Sequence, residues 1–267
     1  MELRVAGLVH GPACLFVDRA ITLFSFLNVS LLCNTVKMSP RRRDPATRSE
    51  LIHVAARLLA EEGPESMSTR RIATEAGTST MAVYTHFGSM SGLVREIVHE
   101  GFGRLAANFE RVRWSDDPVA DLALFGRAYR YTAVTNPHLY AVMFGGLSLA
   151  GFALTEDDRQ YGRFTLVRVV EGAARSIAAG RFSVEDEALA AHHMWLGTHG
   201  LVTLEIGDYL VDPCDADRCF ETQLITLMVG QGDSIDAATE SVRRSADRFP
   251  HEIAAGADAG RQDTRVG

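Results

Sequence analysis

Side chains that could contact phosphate oxygens or base edges are concentrated between residues 69 and 86. They are Thr69, Thr78, Ser79, Thr80, Met81, Tyr84 and His86. Hydroxyl, phenol and imidazole groups hydrogen-bond to phosphates, hydroxyls pair with several bases, and a methionine can touch a thymine methyl group. The chain contains no Gly-x-Ser-x-Gly, no His-Glu-x-x-His and no phosphate-cradling glycine loop. These residue types therefore favour recognition over catalysis, and no enzymatic activity is expected.

Two short helices joined by a tight turn are predicted to position these side chains. Ser68 or Thr69 can cap the first helix, and Ser79 or Thr80 can cap the second. Gly77 supplies the left-handed or crowded backbone position that a sharp turn between helices needs. The residues predicted to face inward are Ile72, Ala73, Ala76, Ala82, Val83 and Phe87. This pattern is a helix-turn-helix.

The helix-turn-helix resembles that of the TetR family of bacterial transcriptional repressors. The residues in register with the family pattern are Thr69, Ile72, Ala73, Ala76, Gly77, Ser79, Val83, Tyr84, His86 and Phe87. The likeness extends upstream through 48–63 and downstream to Leu93. It departs from the family at 88–90, where Gly-Ser-Met replaces the usual Lys or Asp-Lys, so one expected phosphate contact has no residue assigned to it.

The resemblance implies specific roles in DNA binding. Thr69, Tyr84 and His86 are expected to contact the DNA backbone, which positions the protein without reading sequence. Residues 78–81 lie at the start of the recognition helix, where side chains reach base edges. Met81 has an alternative role in core packing.

Charge is distributed unevenly along the chain. The net charge is −7 over 267 residues, yet basic residues cluster at Arg70-Arg71 and in the run Arg41, Arg42 and Arg43. That run is predicted either to lie along a groove or phosphate backbone, or to be a solvated stretch of charge. A specific DNA binder needs a positive docking face only, so the overall acidity does not exclude one. The four cysteines are too few and too scattered for a disulfide scaffold.

The remainder of the chain has a second resemblance, carried by residues 137–144 and by Trp195-Leu-Gly-Thr-His-Gly200. These stretches look like the WHG-type C-terminal regulatory domain of one TetR branch, across about 115–230. Such a domain implies a pocket for a small apolar effector. The candidate lining residues are Phe125, Tyr129, Tyr140, Met143, Phe144, Trp195 and His199. Each of them alternatively fills the core. No cofactor is expected. No metal is expected either, because adjacent His192 and His193 point about 100° apart on a helix and cannot both join His199 on one face.

The pattern predicts an all-α protein in which a three-helix DNA-binding domain precedes a helical ligand-binding and dimerisation domain. The predicted divisions are an extension at 1–37, the DNA-binding domain at 38–92, the body at 93–231 and a mostly disordered tail at 232–267. A single helix is predicted from Glu156 to about Ala179, and a weak one at 235–248.

The first 37 residues admit three interpretations. Residues 20–36 carry no charge, but they are too short and too polar for a convincing membrane span. Met38 is followed by a sequence typical of TetR-like N-termini, so we expect the native protein to start there. A disordered extension and a membrane anchor remain open.

The combined expectation is a cytoplasmic regulator that binds a double-stranded DNA operator as a homodimer, most simply a repressor released by an apolar small molecule. A two-fold dimer would read an inverted repeat. An activator or dual regulator of the same fold is the first alternative. A membrane-tethered regulator is the second.

Overall fold

The computed structural model describes residues 44–144, 151–152 and 154–255. Within these ranges the regular structure is entirely helical, which confirms the predicted all-α class. The α-helices, in chain order, are α1 Pro45–Glu62, α2 Thr69–Glu75, α3 Thr80–Phe87, α4 Met90–Arg111, α5 Pro118–Thr135, α6 Pro137–Met143, α7 Glu156–Phe164, α8 Val167–Ala178, α9 Glu187–Ile206, α10 Ala216–Gly230 and α11 Ile235–Phe249. All described residues fall in one compact unit.

Helices α2 and α3 form the predicted helix-turn-helix, and α1 completes the three-helix DNA-binding domain. Ser68 caps α2 by accepting from the Arg71 amide, and Ser79 caps α3 by accepting from the Ala82 amide. Gly77 has φ +62° in the turn between them, where a side chain would be strained. The apolar face of α1 is buried against α6 and α4, with further contacts to α2 and α3. Local sequence signals therefore determine this part of the fold.

Helix α4 connects the helix-turn-helix to the body. It packs on α1 and α3 of the DNA-binding domain and on α5, α6 and α7 of the body. The buried stripe of α4 includes Leu93, Ile97, Phe102, Leu105 and Phe109. One rigid helix therefore contributes to both cores.

Helix α5 lies at the centre of the body. Every residue from Pro118 to Tyr129 is buried, and the helix packs on α4, α8, α9 and α11. The carboxylate of buried Asp121 is not isolated, because it accepts hydrogen bonds from Ser115, Arg175 and Arg248. Burial opposes ionisation of Asp121, but these hydrogen bonds outweigh it and lower the pKa of the carboxyl group.

The prediction of one helix from Glu156 to Ala179 is wrong, because two helices, α7 and α8, occupy this stretch. The Thr165 amide and hydroxyl both bond the Gly162 carbonyl, at 3.1 and 2.7 Å. This tighter turn ends α7. Helical periodicity in the sequence does not reveal such an interruption, because the chain is helical on both sides of it.

The prediction of a mostly disordered tail at 232–267 is also wrong over much of its length. Ser234 caps α11, and a wide helical turn continues through Pro250–Ala254. Ala238 and Val242 are buried against α5, and Arg248 reaches Asp121 at 2.6 Å. Packing against α5 thus adds to the stability that the Ser234 cap gives this weakly apolar helix. Residues 256–267 lie outside the described residues.

The described helices include none with the length and apolar content needed to cross a membrane. The interpretations proposed for residues 1–37 concern a segment outside the described residues.

Candidate functional site

The outer face of α3 presents three side chains of the predicted DNA-contacting set. Met81 is 68% exposed and Tyr84 is 52% exposed, and Thr80 is exposed at the start of the helix. Core packing, the alternative for Met81, is therefore ruled out by its exposure in this chain. Val83 is buried and Phe87 packs against the core on the opposite side. The face of α3 is thus available to a groove.

The remaining predicted residues of the helix-turn-helix are partly engaged in the fold. Ser79 uses its hydroxyl oxygen as the α3 cap, which leaves its proton available to a partner. Thr78 and Thr69 are half-buried, at the turn and at the first position of α2. His86 is half-buried in the last turn of α3, with its ring centroid 5.9 Å from that of Phe87. Arg41, Arg42 and Arg43 lie outside the described residues.

The two adjacent arginines of α2, Arg70 and Arg71, differ in their ion pairs. Arg71 bonds Glu62 at 2.7 Å and Glu75 at 2.9 Å, which raises the pKa of its guanidinium. Arg70 is exposed and has no ion pair among the described residues. Sequence reasoning noted the basic pair but did not choose between its members. The geometry selects Arg70 as the arginine whose charge remains available.

The body encloses an apolar cavity of about 380 Å³ between α4, α5, α7, α8 and α9. Its lining residues are Phe102, Leu105, Phe109, Leu122, Phe125, Gly126, Tyr129, Met143, Phe144, Leu154, Asp158, Arg159, Gly162, Arg163, Thr165, Leu166, Val169, His192, Met194, Trp195 and Thr198. Aromatic and aliphatic side chains predominate, with polar groups at a few points. This volume and lining are typical of sites for small molecules.

Five of the seven predicted ligand-binding residues line the cavity: Phe125, Tyr129, Met143, Phe144 and Trp195. Tyr140 and His199 do not line it but stand behind Tyr129. The Tyr140 hydroxyl lies 2.6 Å from His199 Nδ1 and 3.2 Å from the Tyr129 hydroxyl. They support the cavity wall through these hydrogen bonds.

The contributions of α4 and α7 to the cavity wall were not predicted from the sequence. Phe102 and Leu105 were visible as members of the apolar stripe of α4, but nothing in the sequence showed that a space lies in front of them. Gly162 lines the same wall, and a Cβ there would lie 2.7 Å from the Phe102 ring. The glycine therefore allows α7 to approach α4 closely.

Four polar side chains form a hydrogen-bonded chain at one end of the cavity. Trp195 Nε1 donates to the Tyr129 hydroxyl at 3.4 Å, and that hydroxyl also lies 3.0 Å from His199 Nδ1. Burial raises the pKa of Tyr129, and it raises that of Tyr140 to about 12. Burial lowers the pKa of His199. All three groups are consequently neutral near pH 7.

Asp158 connects the cavity wall to α4. Its carboxylate accepts from Thr155 at the start of α7, lies 2.9 Å from His99 Nε2, and pairs with Arg95 Nε at 3.2 Å. Burial acts to raise its pKa, but the Thr155 hydrogen bonds and the charge of Arg95 lower it overall. Asp158 is thus an anion held between the cavity and the helix that reaches the DNA-binding domain.

No group of three potential metal ligands is present in the described part of the chain. His192 and His193 are both exposed, and His192 Nδ1 lies 2.6 Å from the Ala188 carbonyl.

An exposed recognition helix, joined by one long helix to a helical body with an apolar cavity, defines the class of helix-turn-helix transcriptional regulators. The family "Bacterial regulatory proteins, tetR family" matches residues 51–97. The family "Tetracyclin repressor-like, C-terminal domain" matches residues 122–227. Because the two matches together span more than half of the chain and include both domains, the chain belongs to the TetR family of DNA-binding transcriptional regulators, which are not enzymes.

Individual relatives agree with this assignment. HTH-type transcriptional regulator Rv1816 of Mycobacterium tuberculosis is 32% identical over 158 residues, which cover 56% of this chain and 64% of the relative. The chain thus spans less than two thirds of that relative's length. Uncharacterized HTH-type transcriptional regulator Rv0681 of the same species is 29% identical over 191 residues, covering 69% and 81%. A solved protein of unknown function from Rhodococcus sp. RHA1 is 26% identical, with a TM-score of 0.60, covering 73% of this chain and 100% of that one.

Proposed function

We propose that this chain is a cytoplasmic repressor that binds an inverted-repeat operator as a homodimer and releases it when a small, mostly apolar molecule enters the body. The observation that carries the proposal is the apolar cavity whose wall residue Asp158 pairs with α4. It gives a ligand in the body a physical connection to the DNA-binding domain.

Residues of the helix-turn-helix divide into two proposed roles. Thr78, Ser79, Thr80 and Met81 read base edges from the start of α3. Phosphate contacts come from Thr69, Tyr84 and His86, with Arg70 as the cation that the ion pairs of α2 leave available. The run Arg41, Arg42 and Arg43 is proposed as a basic arm along the DNA.

Dimerisation is proposed through α9 and α10. Leu189, Leu196 and Leu204 follow one another at seven- and eight-residue spacing on α9 and are 52%, 61% and 46% exposed. Val229 of α10 is 38% exposed. A stripe of exposed leucines on one helix, beside an exposed valine on its neighbour, is typical of a helical contact with a second copy.

Release of DNA is proposed to pass through α4. A ligand that displaces Phe102 or Asp158 shifts the helix that also carries Leu93 and Ile97 in the DNA-binding core. Such a molecule changes DNA affinity only to the extent that it binds the two arrangements of α4 with different affinity.

The first test is an electrophoretic shift of the DNA immediately upstream of the chain's own gene, with footprinting. We expect protection of an inverted repeat, with two protomers bound per operator in the shifted complex. No binding at low salt would contradict self-regulation and redirect the search to distant operators.

A second test asks whether Thr80 and Met81 read base edges. Thr80→Ala with Met81→Ala is expected to reduce the preference for the operator over unrelated DNA by roughly tenfold or more. Thr85→Ala is the matched control, because Thr85 is also exposed on α3 but donates its hydroxyl to the Met81 carbonyl at 2.8 Å. Equal effects of the two changes would contradict the assigned recognition face.

A further inference from the structure

Thr198 is a buried cavity residue whose hydroxyl group has no hydrogen-bond partner among the described residues. It is 3% exposed and lies on α9 facing α5. Threonines elsewhere on the helices of the body return their hydroxyl to the carbonyl four residues earlier, as Thr132 does to Ala128 at 2.7 Å and Thr203 to His199 at 2.8 Å. A buried polar group normally finds a partner, so a hydroxyl left open to a cavity indicates a ligand group.

Tyr129 presents the complementary group from α5. Its hydroxyl proton is directed to Tyr140 or to His199, at 3.2 and 3.0 Å, and its oxygen accepts the long bond from Trp195. A phenol oxygen has two lone pairs. One of them therefore remains available to a donor in the cavity, which Tyr129 lines.

The charges around the cavity disfavour an ionic ligand. Arg159 and Arg163 of the lining both pair with Glu156 and are more than half exposed. Asp158 already accepts from Thr155 and His99 and pairs with Arg95. The polar end of the cavity holds neutral phenol, hydroxyl and imidazole groups, so a carboxylate or ammonium would enter without a counter-ion there.

We propose that the cavity binds an uncharged ring compound bearing a hydroxyl group, which accepts from the Thr198 hydroxyl and donates to the Tyr129 oxygen. The proposal rests on the effector site proposed above and adds the chemical class of its ligand. The aromatic walls, including Phe125 and Trp195, contact the ring. One ligand hydroxyl satisfies both protein groups at once, because it is a donor and an acceptor.

Calorimetric titration of the full chain with naphthalene, 2-naphthol and 2-naphthoate tests this proposal. These probes share one ring system and differ in the polar group. We expect 2-naphthol to bind at least tenfold more tightly than naphthalene, and 2-naphthoate to bind most weakly. The strongest affinity for 2-naphthoate, equal affinity for 2-naphthol and naphthalene, or binding of none of the three would overturn the proposal.

We expect Thr198→Val to reduce the preference for 2-naphthol over naphthalene by at least fivefold, while the naphthalene dissociation constant changes less than twofold. Thr165→Val is the matched control, since Thr165 also lines the cavity but spends its hydroxyl on the Gly162 carbonyl. A preference retained in Thr198→Val would contradict the assigned contact. Circular dichroism melting checks that both variants fold.

Operator release by the same three probes, measured by fluorescence anisotropy, separates this inference from the proposed function. Binding of 2-naphthol with the expected preference but without any loss of DNA affinity supports the ligand class and contradicts the repressor coupling. Release by 2-naphthoate alone contradicts the ligand class and supports the coupling.

Discussion

The DNA-binding domain and the body use their side chains in opposite ways. On α3, Thr80, Met81 and Tyr84 project outward from a short helix whose caps and turn are encoded within about twenty residues. In the body, the cavity is formed by side chains from α4 to α9 that lie far apart in the sequence. A recognition surface can therefore be local in the sequence, whereas a cavity is a property of packing between helices.

The same contrast extends to charge. Arginines of the DNA-binding domain form exposed pairs, such as Arg57 with Glu61 at 3.1 Å. In the body, Arg248 reaches fully buried Asp121, and Arg127 bonds Glu221 and buried Ser245. Exposed pairs contribute little to stability, but breaking a buried one leaves an uncompensated charge. The body therefore depends on its ion pairs more than the DNA-binding domain does.

The largest expected effect separates a fully buried ring of the cavity wall from a partly exposed one. Phe125 is 1% exposed and meets Phe109 and Trp114 edge-on at 5.1 and 5.6 Å. Phe125→Ala should lower the free energy of unfolding by about 3–5 kcal/mol, because it removes a buried ring. Phe144→Ala is the control, since its ring lines the cavity but is 37% exposed, and its cost should be under about 1.5 kcal/mol. Urea denaturation measures both, and similar losses would show that the two rings are equally part of the core.

The second effect belongs to the DNA-binding domain alone. Tyr84→Phe combined with His86→Ala should weaken binding to operator and to unrelated DNA equally, by roughly 10- to 100-fold, because phosphate contacts carry no sequence information. Affinity for 2-naphthol should stay within twofold. Fluorescence anisotropy on both DNA sequences measures the change, and a loss confined to the operator would assign these residues to base reading instead.

A smaller effect is expected where the two regions meet. Asp158→Asn removes the anion that pairs with Arg95, so the change in operator dissociation constant caused by saturating 2-naphthol should shrink by roughly 5- to 20-fold. Operator affinity without the probe should change little. Asp157→Asn is the control, because Asp157 is exposed and unpaired among the described residues. An unaltered response in Asp158→Asn would exclude this carboxylate from the coupling.

The smallest effect is a pH dependence of the body. Burial lowers the pKa of His199 in the folded chain below its value of about 6.5 in the unfolded chain. The unfolded chain therefore binds the proton first, and the stability that neutral His199 contributes is present above about pH 6.5 and lost as the pH falls. The difference in unfolding free energy between wild type and His199→Asn should be larger at pH 7 than at pH 5. A difference independent of pH would show that burial does not perturb this group.

Most of the DNA-binding domain could be predicted because its signals are short-range. Ser68, Gly77 and Ser79 occupy the capping and turn positions that the residue pattern indicated. The body was predicted less completely. Its helices were anticipated, including α11 to within one residue, except for the break at Thr165 and the helical turn at Pro250–Ala254.

The leucines of α9 and α10 show the same limit. Helical periodicity alone does not divide them between core and interface. In the folded chain Leu201 and Leu224 are buried, whereas Leu189, Leu196 and Leu204 are exposed. A helical pattern states which residues share a face, but not whether another helix covers that face.

The helical class, the helix-turn-helix and the family follow from the amino-acid sequence alone, because capping, turn and periodicity signals act over a few residues. The folded chain was needed to show that Phe102 faces a cavity, that Asp158 joins that cavity to α4, and that the Thr198 hydroxyl is left open. The physical reason is that a cavity, an ion pair between helices and an unpartnered hydroxyl depend on which distant residues meet, and side-chain type does not encode that information.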